Sequence, residues 1–547
     1  MSSMGAGRAG PGAHTRAPVG GRRTGGGVTP GTSRVRPGRG RSWHDEVVLD
    51  RLSPLDASFL YLEDHSTTMH VGSVIILERR ARRRTPVLDH DALMDLVAER
   101  IGENSRYRQR VRELPGRLSG PVWVDDVDFD ISYHVRRSAL PAPGTDEQLG
   151  EFVARIQSRP LDREHPLWEL YVVEGLEGGR RALVTKTHQA LVDGVTAVDI
   201  GHLLLDTEPL RERPSAPEWL PRREPGDLHL LLDAASEVVR RPVTVVERVR
   251  GGIVGSAADL ARRAFGGLGG VVTEAARTAA SPAPTTALNT SRVRAPRRYR
   301  MVRTNLQDYR AVRDAMAGAR RPVDVTVTDV ALTAVTGGLR AWLQARGEPV
   351  HSATTVRAMV PVSIAEGGVD TETGGRSVSS SQVVACFVDL PVGEPSSRLR
   401  LERIAHQTRH QARSSRALSA GTLAGIAGFA PPTLHHLGAR VAGAVSRRMF
   451  NLVVTNVPGP QRPLYVGSSR MIATYPVIPL LRGQAVAVGL TSYDGEVFIG
   501  LNADRAAMTD LEVLAAGIPE ALVELAASVG AEDVDLGVHL RPGMGQA

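Results

Sequence analysis

Cysteine is almost missing from the chain. Among its 547 residues there is one, Cys386, in the apolar run VVACFVDL. A single cysteine excludes an internal disulfide and any metal site built from several thiolates, and it matches a reducing compartment. Because no neighbouring residue would lower the thiol pKa, the run predicts a buried strand and not a nucleophile.

Lysine is equally rare, and arginine carries the positive charge. Lys186 is the only lysine, and its segment predicts a solvated or paired strand charge. The eight arginines of residues 1–44 account for the whole formal net charge of +8. That stretch is Gly, Arg and Pro without interleaved aromatics, so we predict a disordered tail and no nucleic-acid partner.

The chain also has no long hydrophobic run. Its longest uncharged stretch, residues 417–439, is interrupted by Pro431 and Pro432. It therefore falls short of the ~20 apolar helical residues that a bilayer requires. The N-terminus shows no apolar signal-peptide core. We expect a cytoplasmic protein whose membrane contact is peripheral.

Several common catalytic motifs are missing as well. There is no G-x-S-x-G elbow, no Walker phosphate loop and no H-E-x-x-H pair. The glycines of FGGLGGVV follow no strand-like segment, as a dinucleotide fingerprint would require. Hydrolase, NTPase and dehydrogenase functions therefore have no support from sequence motifs.

Strand-like and helix-like patterns divide the chain into four parts. The tail of residues 1–44 precedes a mixed α/β region at 50–206. Residues 207–297 comprise a Pro-rich linker and an amphipathic helical crossover, and a second mixed α/β region covers 298–540. Arginines on one helical face of residues 227–279 fit either a membrane surface or a crossover helix packed on the protein body. Two α/β halves predict a site at their interface.

One predicted hairpin delivers a chemically unusual loop. The segments WELYVVEGL and RALVTKTHQ alternate as strands do, and Glu177–Gly179 joins them. The second strand leads directly into HQALVDG, residues 188–194, and helical spacing resumes afterwards.

This loop and a series of other segments resemble the wax ester synthase/diacylglycerol acyltransferase family, whose loop is written HHxxxDG. The loop type is shared with condensation domains and other CoA-dependent acyltransferases. The further matching segments are LSPLDASFL, MHVGSVIIL, YHVRR, SRPLDREHPLW, TVTDVALTAVTGGLR, RAMVPVSI, TNVPGP and YPVIPLLRGQ. Their order over roughly residues 50–530 implies two CoA-dependent acyltransferase-like halves joined by a long helical crossover, with an acyl tunnel beside the loop.

The resemblance also implies roles for the loop residues. The family's general base is the second His, and this position is Gln189 here. Asp193 is assigned a structural role, and Gly194 permits tight entry into the next helix. An amide accepts no proton at neutral pH, and loss of a general base typically lowers a rate by ~10² to 10⁴.

His188 is the other imidazole in the loop. Adjacent side chains of a strand point to opposite faces, so His188 faces into the fold if Gln189 faces the acyl channel. Two roles remain open for His188, a hydrogen-bonded structural histidine and a substitute base.

Four residues elsewhere are candidates for substrate binding. Thr328 and Asp329 stand where the family often has Asn-Asp, and Thr can still donate and accept a hydrogen bond. Asn456 either contacts substrate or ties down the following Pro-Gly-Pro turn. Trp168 is a substrate contact or a core anchor beneath the hairpin.

The function implied by the resemblance is O-acyl transfer. Long-chain acyl-CoA would acylate diacylglycerol or a fatty alcohol, giving triacylglycerol or wax ester at a membrane or lipid-body surface. Acyl-CoA would be a substrate, and we expect no metal and no bound cofactor. A homodimer is left open. Gln189 raises one alternative, a pseudoenzyme that binds acyl lipid or an active paralogue.

Overall fold

The computed structural model describes residues 50–79, 90–113, 120–192, 200–210, 219–226, 230, 282–291, 293–364, 382–413, 418–419 and 449–531. Outside these residues lie the predicted tail, nearly all of the predicted crossover 227–279, and the uncharged stretch 417–439 apart from residues 418–419. Asp193 and Gly194 also lie outside them.

The first half contains five helices and seven strands within its described residues. The helices are α1 (Pro54–Leu62), α2 (His90–Ile101), α3 (Ile131–His134), α4 (Asp146–Gln157) and α5 (Ile200–Leu203). The strands are β1 (Asp50–Arg51), β2 (His70–Leu77), β3 (Gln109–Arg112), β4 (Val122–Asp125), β5 (Val135–Ala139), β6 (Trp168–Glu174) and β7 (Arg181–His188).

The described second half contributes four helices and nine strands. The helices are α6 (Leu306–Ala317), α7 (Val327–Ala345), α8 (Ser397–Arg413) and α9 (Leu511–Val529). The strands are β8 (Arg297–Asn305), β9 (Val356–Ile364), β10 (Gln382–Leu390), β11 (Leu418–Ser419), β12 (Leu452–Pro458), β13 (Tyr465–Val466), β14 (Ser469–Val477), β15 (Val486–Tyr493) and β16 (Glu496–Asp504).

The first large sheet has six strands in the order β13-β14-β2-β7-β6-β5. Strands β6 and β7 form the predicted antiparallel hairpin, with Trp168 opposite Thr187. Gly178 and Gly179 both have φ of +73°, a conformation that glycine adopts without steric cost. Helix α4 begins with a capping box of Thr145 and Gln148, and it buries one apolar face.

The second large sheet has seven strands in the order β11-β10-β9-β12-β15-β16-β8. Its own apolar core includes residues of α6, α7, α8 and α9. Cys386 is a buried free thiol on β10, as predicted. No helix of the described residues is both long and apolar enough to cross a membrane. The predicted mixed α/β architecture with two halves is confirmed.

One strand pairing differs from the prediction. From the sequence, RMIATYPV and AVAVGLTSYDGEVFIGLNAD are expected to form a strand pair, but RMIATYPV as β14 pairs antiparallel with β2 in the first sheet. Its alternate residues Met471, Ala473, Tyr475 and Val477 enter the first core. Because both sheets bury apolar residues at this period, the local pattern fits either sheet.

Close backbone contacts hold the crossing strand against the second sheet. Gly489 and Gly500 lie opposite each other on β15 and β16. A Cβ on Gly500 would stand 2.0 Å from the Pro476 carbonyl oxygen. The Tyr299 hydroxyl donates to that same oxygen at 2.8 Å. The two halves therefore meet along β14.

A three-stranded sheet, β1-β4-β3, lies within the first half. Residues 219–226 of the predicted linker have no helix or strand, but polar contacts join them to this sheet. The backbone N–H of Arg222 donates to Asp125 at 2.8 Å, and Glu224 pairs with Arg110 and Arg112. This part of the linker is packed on the first half.

Candidate active site

The turn that carries position 189 begins where β7 ends. His188 is the last residue of the strand, and Gln189 is partly exposed in the turn that follows. The backbone N–H of Gln189 donates to the Met69 carbonyl at 2.8 Å. The N–H of Leu191 donates to the His188 carbonyl at 2.9 Å. The start of the loop is thus fixed to β2 by its backbone.

His188 points into the protein and has 1% of its surface exposed. Its Nδ1 accepts the N–H of Ala190 at 3.0 Å, which assigns the ring proton of the neutral form to Nε2. That Nε2 lies 3.5 Å from Glu63 Oε2. Since Nδ1 is occupied and Nε2 carries the proton, the ring has no free lone pair for a substrate proton in this geometry.

Glu63 is the centre of a buried polar cluster that the sequence analysis missed. Its Oε1 lies 3.2 Å from His70 Nε2, and its Oε2 lies 3.0 Å from Arg163 Nη2. Burial alone would raise the pKa of Glu63, but the contacts with His188 and His70 hold that pKa well below its ordinary value. Burial lowers the pKa of His70 to about 4.

The sequence gives only a weak indication that Glu63, His70 and Arg163 contribute to the site. Glu63 follows the family-like segment LSPLDASFL, His70 lies within MHVGSVIIL and Arg163 lies within SRPLDREHPLW. A motif match marks a segment but does not say which of its side chains meet in space.

Lys186 is paired and not solvated. Its Nζ lies 3.2 Å from Glu169 Oε2, and the residue is 1% exposed. The other oxygen of Glu169 lies 3.2 Å from Arg136. Burial lowers the pKa of Lys186, although Glu169 opposes the shift. The single lysine is therefore part of the buried polar framework of the hairpin.

Trp168 occupies a core position beneath the hairpin. It has 0% exposure, and its indole Nε1–H donates to the Tyr107 carbonyl at 2.8 Å. Its ring stacks on His134 with centroids 4.4 Å apart. In this arrangement the side chain has no free surface to offer a substrate.

Asp329 belongs to the N-terminal cap of α7. Its Oδ2 accepts the N–H and the hydroxyl of Thr326 at 2.8 and 2.7 Å, while its own N–H donates back to the Thr326 hydroxyl. Its Oδ1 accepts the hydroxyl of Thr408 at 2.7 Å. The described contacts of this carboxylate thus serve the helix cap and the neighbouring helix α8.

Thr328 and Asn456 are brought together by the fold. The Asn456 amide donates to the Thr328 hydroxyl at 2.9 Å, which links β12 to the first turn of α7. Within the described part of the chain, no hydrogen bond joins this pair to Gln189 or His188. The described hydrogen bonds therefore place these two pairs of predicted site residues in separate networks.

The loop that contains Glu63, Asp64 and Ser66 lies at the contact between the two halves. Asp64, next to Glu63, forms an ion pair with Arg482 in the segment YPVIPLLRGQ. The Arg297 guanidinium donates to the Ser66 carbonyl at 2.7 Å. The support of the turn thus includes residues from both halves.

A cleft of about 610 Å³ lies elsewhere, in the second half, and none of the predicted site residues that the structure describes lines it. Its lining includes Arg320, Arg321 and Arg398. Among the described residues, no group of three or more His, Cys, Asp and Glu side chains is placed to hold a metal ion. Residues 193–199 follow the turn and lie outside the described residues, so the expected acyl tunnel stays a prediction.

Family models match both halves of the chain. Residues 52–331 match the wax ester synthase/diacylglycerol acyltransferase catalytic domain, and residues 380–526 match the WS/DGAT C-terminal domain. The probable diacylglycerol O-acyltransferase tgs3 of Mycobacterium tuberculosis is 46% identical over 269 residues, covering 49% of this chain and 96% of that protein. Its probable diacylglycerol O-acyltransferase tgs1 is 32% identical over 492 residues, covering 88% and 96%.

Solved structures share the same architecture. The wax ester synthase/diacylglycerol acyltransferase from Marinobacter aquaeolei VT8 superposes with a TM-score of 0.61 at 26% identity, covering 88% of this chain and 100% of that one. The first condensation domain of the calcium-dependent antibiotic synthetase gives a TM-score of 0.52 at 16% identity, covering 88% and 99%. At that identity the condensation domain shows the fold alone.

Proposed function

Because the chain belongs to the wax ester synthase/diacylglycerol acyltransferase family, we propose that it transfers a long-chain acyl group from acyl-CoA to an acceptor hydroxyl. The acceptor is diacylglycerol or a long-chain alcohol, and the product is triacylglycerol or wax ester. Membership of the family across both halves is the observation that carries this proposal. The similarity to proteins named diacylglycerol O-acyltransferase favours diacylglycerol as acceptor.

The proposed reaction exchanges one acyl bond for another. The acceptor oxygen attacks the thioester carbon, the new C–O bond forms and the C–S bond breaks. The hydroxyl proton ends on the CoA sulfur, so the products are an ester and free CoA thiol. No metal or redox cofactor is needed for this exchange, because the thioester is already activated.

Position 189 limits how fast the proton can leave. A Gln amide accepts no proton at neutral pH, and His188 accepts a backbone N–H at Nδ1 while its Nε2 faces Glu63 inside the protein. The transfer then relies on orientation of the two substrates, with water relaying the hydroxyl proton to the departing CoA sulfur. We expect a rate well below that of a relative with His at this position.

The same observations favour a second candidate function. A pocket without a base would bind acyl-CoA or acyl lipid, or an active paralogue, without turnover. Gln189 and the engaged His188 are the specific observations for this alternative. The two functions make different predictions for a chain whose base is restored.

The deciding experiment is Gln189→His, with Gln189→Met as the control that matches side-chain length without basicity. Transfer of labelled acyl groups to diacylglycerol and to hexadecanol is measured by thin-layer chromatography. We expect a rise of about a hundredfold for Gln189→His and none for Gln189→Met. Equal activity in all three proteins would show that position 189 is not the base. Acyl-CoA binding without transfer in any of them would favour the lipid-binding function.

We also propose that the protein associates with membrane or lipid-body surfaces, where its apolar acceptors are dissolved. The basic amphipathic pattern of residues 227–279 supports this location. Replacing the arginines at 240, 241, 248 and 250 by Gln should weaken co-sedimentation with anionic vesicles. Unchanged co-sedimentation would show that these four arginines do not form the membrane contact.

A further inference from the structure

The geometry points to Glu63 as a positioning residue that fixes the turn carrying residue 189. This inference rests on the proposed function, because the turn matters only if chemistry occurs beside it. Glu63 contacts the turn by two routes, one through the backbone of Met69 and one through the imidazole of His188.

The first route runs through Met69. Oε1 of Glu63 lies 3.4 Å from the backbone N–H nitrogen of Met69. The carbonyl of the same residue accepts the N–H of Gln189 at 2.8 Å. Because the donor and the acceptor belong to one residue, a shift of the carboxylate also shifts the acceptor that holds Gln189.

The second route runs through His188. Oε2 of Glu63 lies 3.5 Å from His188 Nε2, and His188 Nδ1 accepts the N–H of Ala190 at 3.0 Å. The Ala190 N–H on Nδ1 assigns the ring proton to Nε2, and this Nε2 faces the Glu63 carboxylate, so the ring has a defined tautomer and orientation. Glu63 therefore acts on the residues before and after position 189, as well as on its N–H.

Pairing with Arg163 is not a sufficient reason for the carboxylate of Glu63 to be buried here. Its guanidinium also contacts Glu113 at 3.5 Å and the Leu60 carbonyl at 2.9 Å. Glu113 is 37% exposed, whereas Glu63 is 8% exposed and has lost most of its hydration. What Glu63 adds is contact with the imidazoles of His70 and His188.

The chain thus provides a matched control. Both Glu63 and Glu113 pair with Arg163, but only Glu63 reaches the turn. Glu63→Gln and Glu113→Gln each remove one negative charge from the same arginine. A difference between them reports the described contacts that distinguish Glu63, which are those with Met69, His70 and His188.

The kinetic test compares these two variants in the native chain and in the Gln189→His background. In the Gln189→His background we expect Glu63→Gln to lower kcat by about tenfold to a hundredfold, because a displacement of the restored base by about 1 Å has such an effect. KM for acyl-CoA should stay within about twofold, since substrate contacts are retained. Glu113→Gln should change neither constant. Equal kcat values in the two variants would overturn the inference.

A second readout is independent of turnover. In protein labelled with ¹⁵N-histidine, the His188 Nε2–H resonance, assigned with His188→Asn, should be protected from solvent. It should be lost in Glu63→Gln and retained in Glu113→Gln. Its persistence in Glu63→Gln would contradict the inference even if no protein transfers acyl groups. Absence of transfer together with loss of the resonance would instead refute only the proposed function.

Glu63→Asp is a second variant that tests the same role if Glu63→Gln does not fold. It keeps the charge and shortens the side chain by one methylene, so the arginine contact is retained more easily than contacts with both imidazoles. We expect a folded protein by circular dichroism, with a kcat between those of the native chain and Glu63→Gln. A folded Glu63→Asp protein with full kcat and an unchanged His188 resonance would refute the positioning role.

Discussion

The turn at residues 188–190 and the first turn of α7 are both held by buried polar side chains, but the hydrogen bonds of these side chains differ. At α7, Asp329 accepts from Thr326 and Thr408 at 2.7–2.8 Å. Beneath the other turn, His70 and His188 face one carboxylate at 3.2 and 3.5 Å. There, both ring nitrogens of His70 and Nε2 of His188 lack a well-aligned hydrogen bond.

This difference in hydrogen bonding distinguishes a polar group that stabilises the fold, Asp329, from a cluster that is available for function, the residues around Glu63. The cap of α7 meets its hydrogen-bonding needs locally, as expected where stability is the role. A buried group without an aligned partner destabilises the fold unless another contribution compensates. The Glu63 cluster is therefore the better place to look for a functional contribution.

The largest effect is expected at the α7 cap. Asp329→Ala leaves the donors of Thr326 and Thr408 without their acceptor and should lower the free energy of unfolding by about 2–3 kcal/mol. Asp329→Asn keeps an acceptor oxygen and should cost less. Urea unfolding measures both, and KM for each substrate is measured on the folded variants. A raised KM with unchanged stability would show that Asp329 binds substrate.

The buried histidine should give a pH-dependent effect. His70 has a pKa of about 4 in the folded protein and about 6.5 when unfolded, so between these values the unfolded chain binds more protons. Stability should therefore fall as pH decreases from 6.5 to 4. His70→Gln should flatten this dependence by about 1.4 kcal/mol per pH unit.

The control for this pH dependence is the exposed His406 on α8. His406→Gln should retain the steep dependence of the native chain when unfolding is followed at several pH values. His134, whose pKa burial also lowers to about 4, contributes in the same direction in every variant. Parallel curves for His70→Gln and the native chain would contradict the burial of a neutral His70.

The smallest effect concerns the contact between Thr328 and Asn456. A double-mutant cycle with Thr328→Val and Asn456→Ala should give a coupling energy of about 0.5–1.5 kcal/mol, the usual value of one hydrogen bond. Asn456→Ala combined with Arg313→Ala on α6 should be additive. Coupling near zero for the first pair would show that the contact does not hold β12 to α7.

Periodicity in the sequence predicted most elements but not all of their neighbours. The β6–β7 hairpin, α7 and α9 follow local patterns that differ clearly between strand and helix. Strand β14 has an equally clear pattern, but its pairing with β2 depends on residues far away in the chain. Local patterns establish which face is buried and do not identify the partner.

The same holds for the side chains of the site, because local sequence patterns do not show which of them meet in the folded protein. Gln189 was identified from a motif, and the inward orientation of His188 followed from strand geometry. The cluster around Glu63 joins α1, β2 and the segment before β6, which no local pattern connects. Only the folded chain shows that these three segments support one turn.

The pairing of β14 with β2 also matters during synthesis. Until residues 469–477 leave the ribosome, β2 has a partner on one side only, and its other edge presents free backbone donors and acceptors. Most of the chain is translated before that edge can be covered. Translation that stalls between β7 and β14 leaves this edge of β2 uncovered, and an unpaired strand edge favours aggregation.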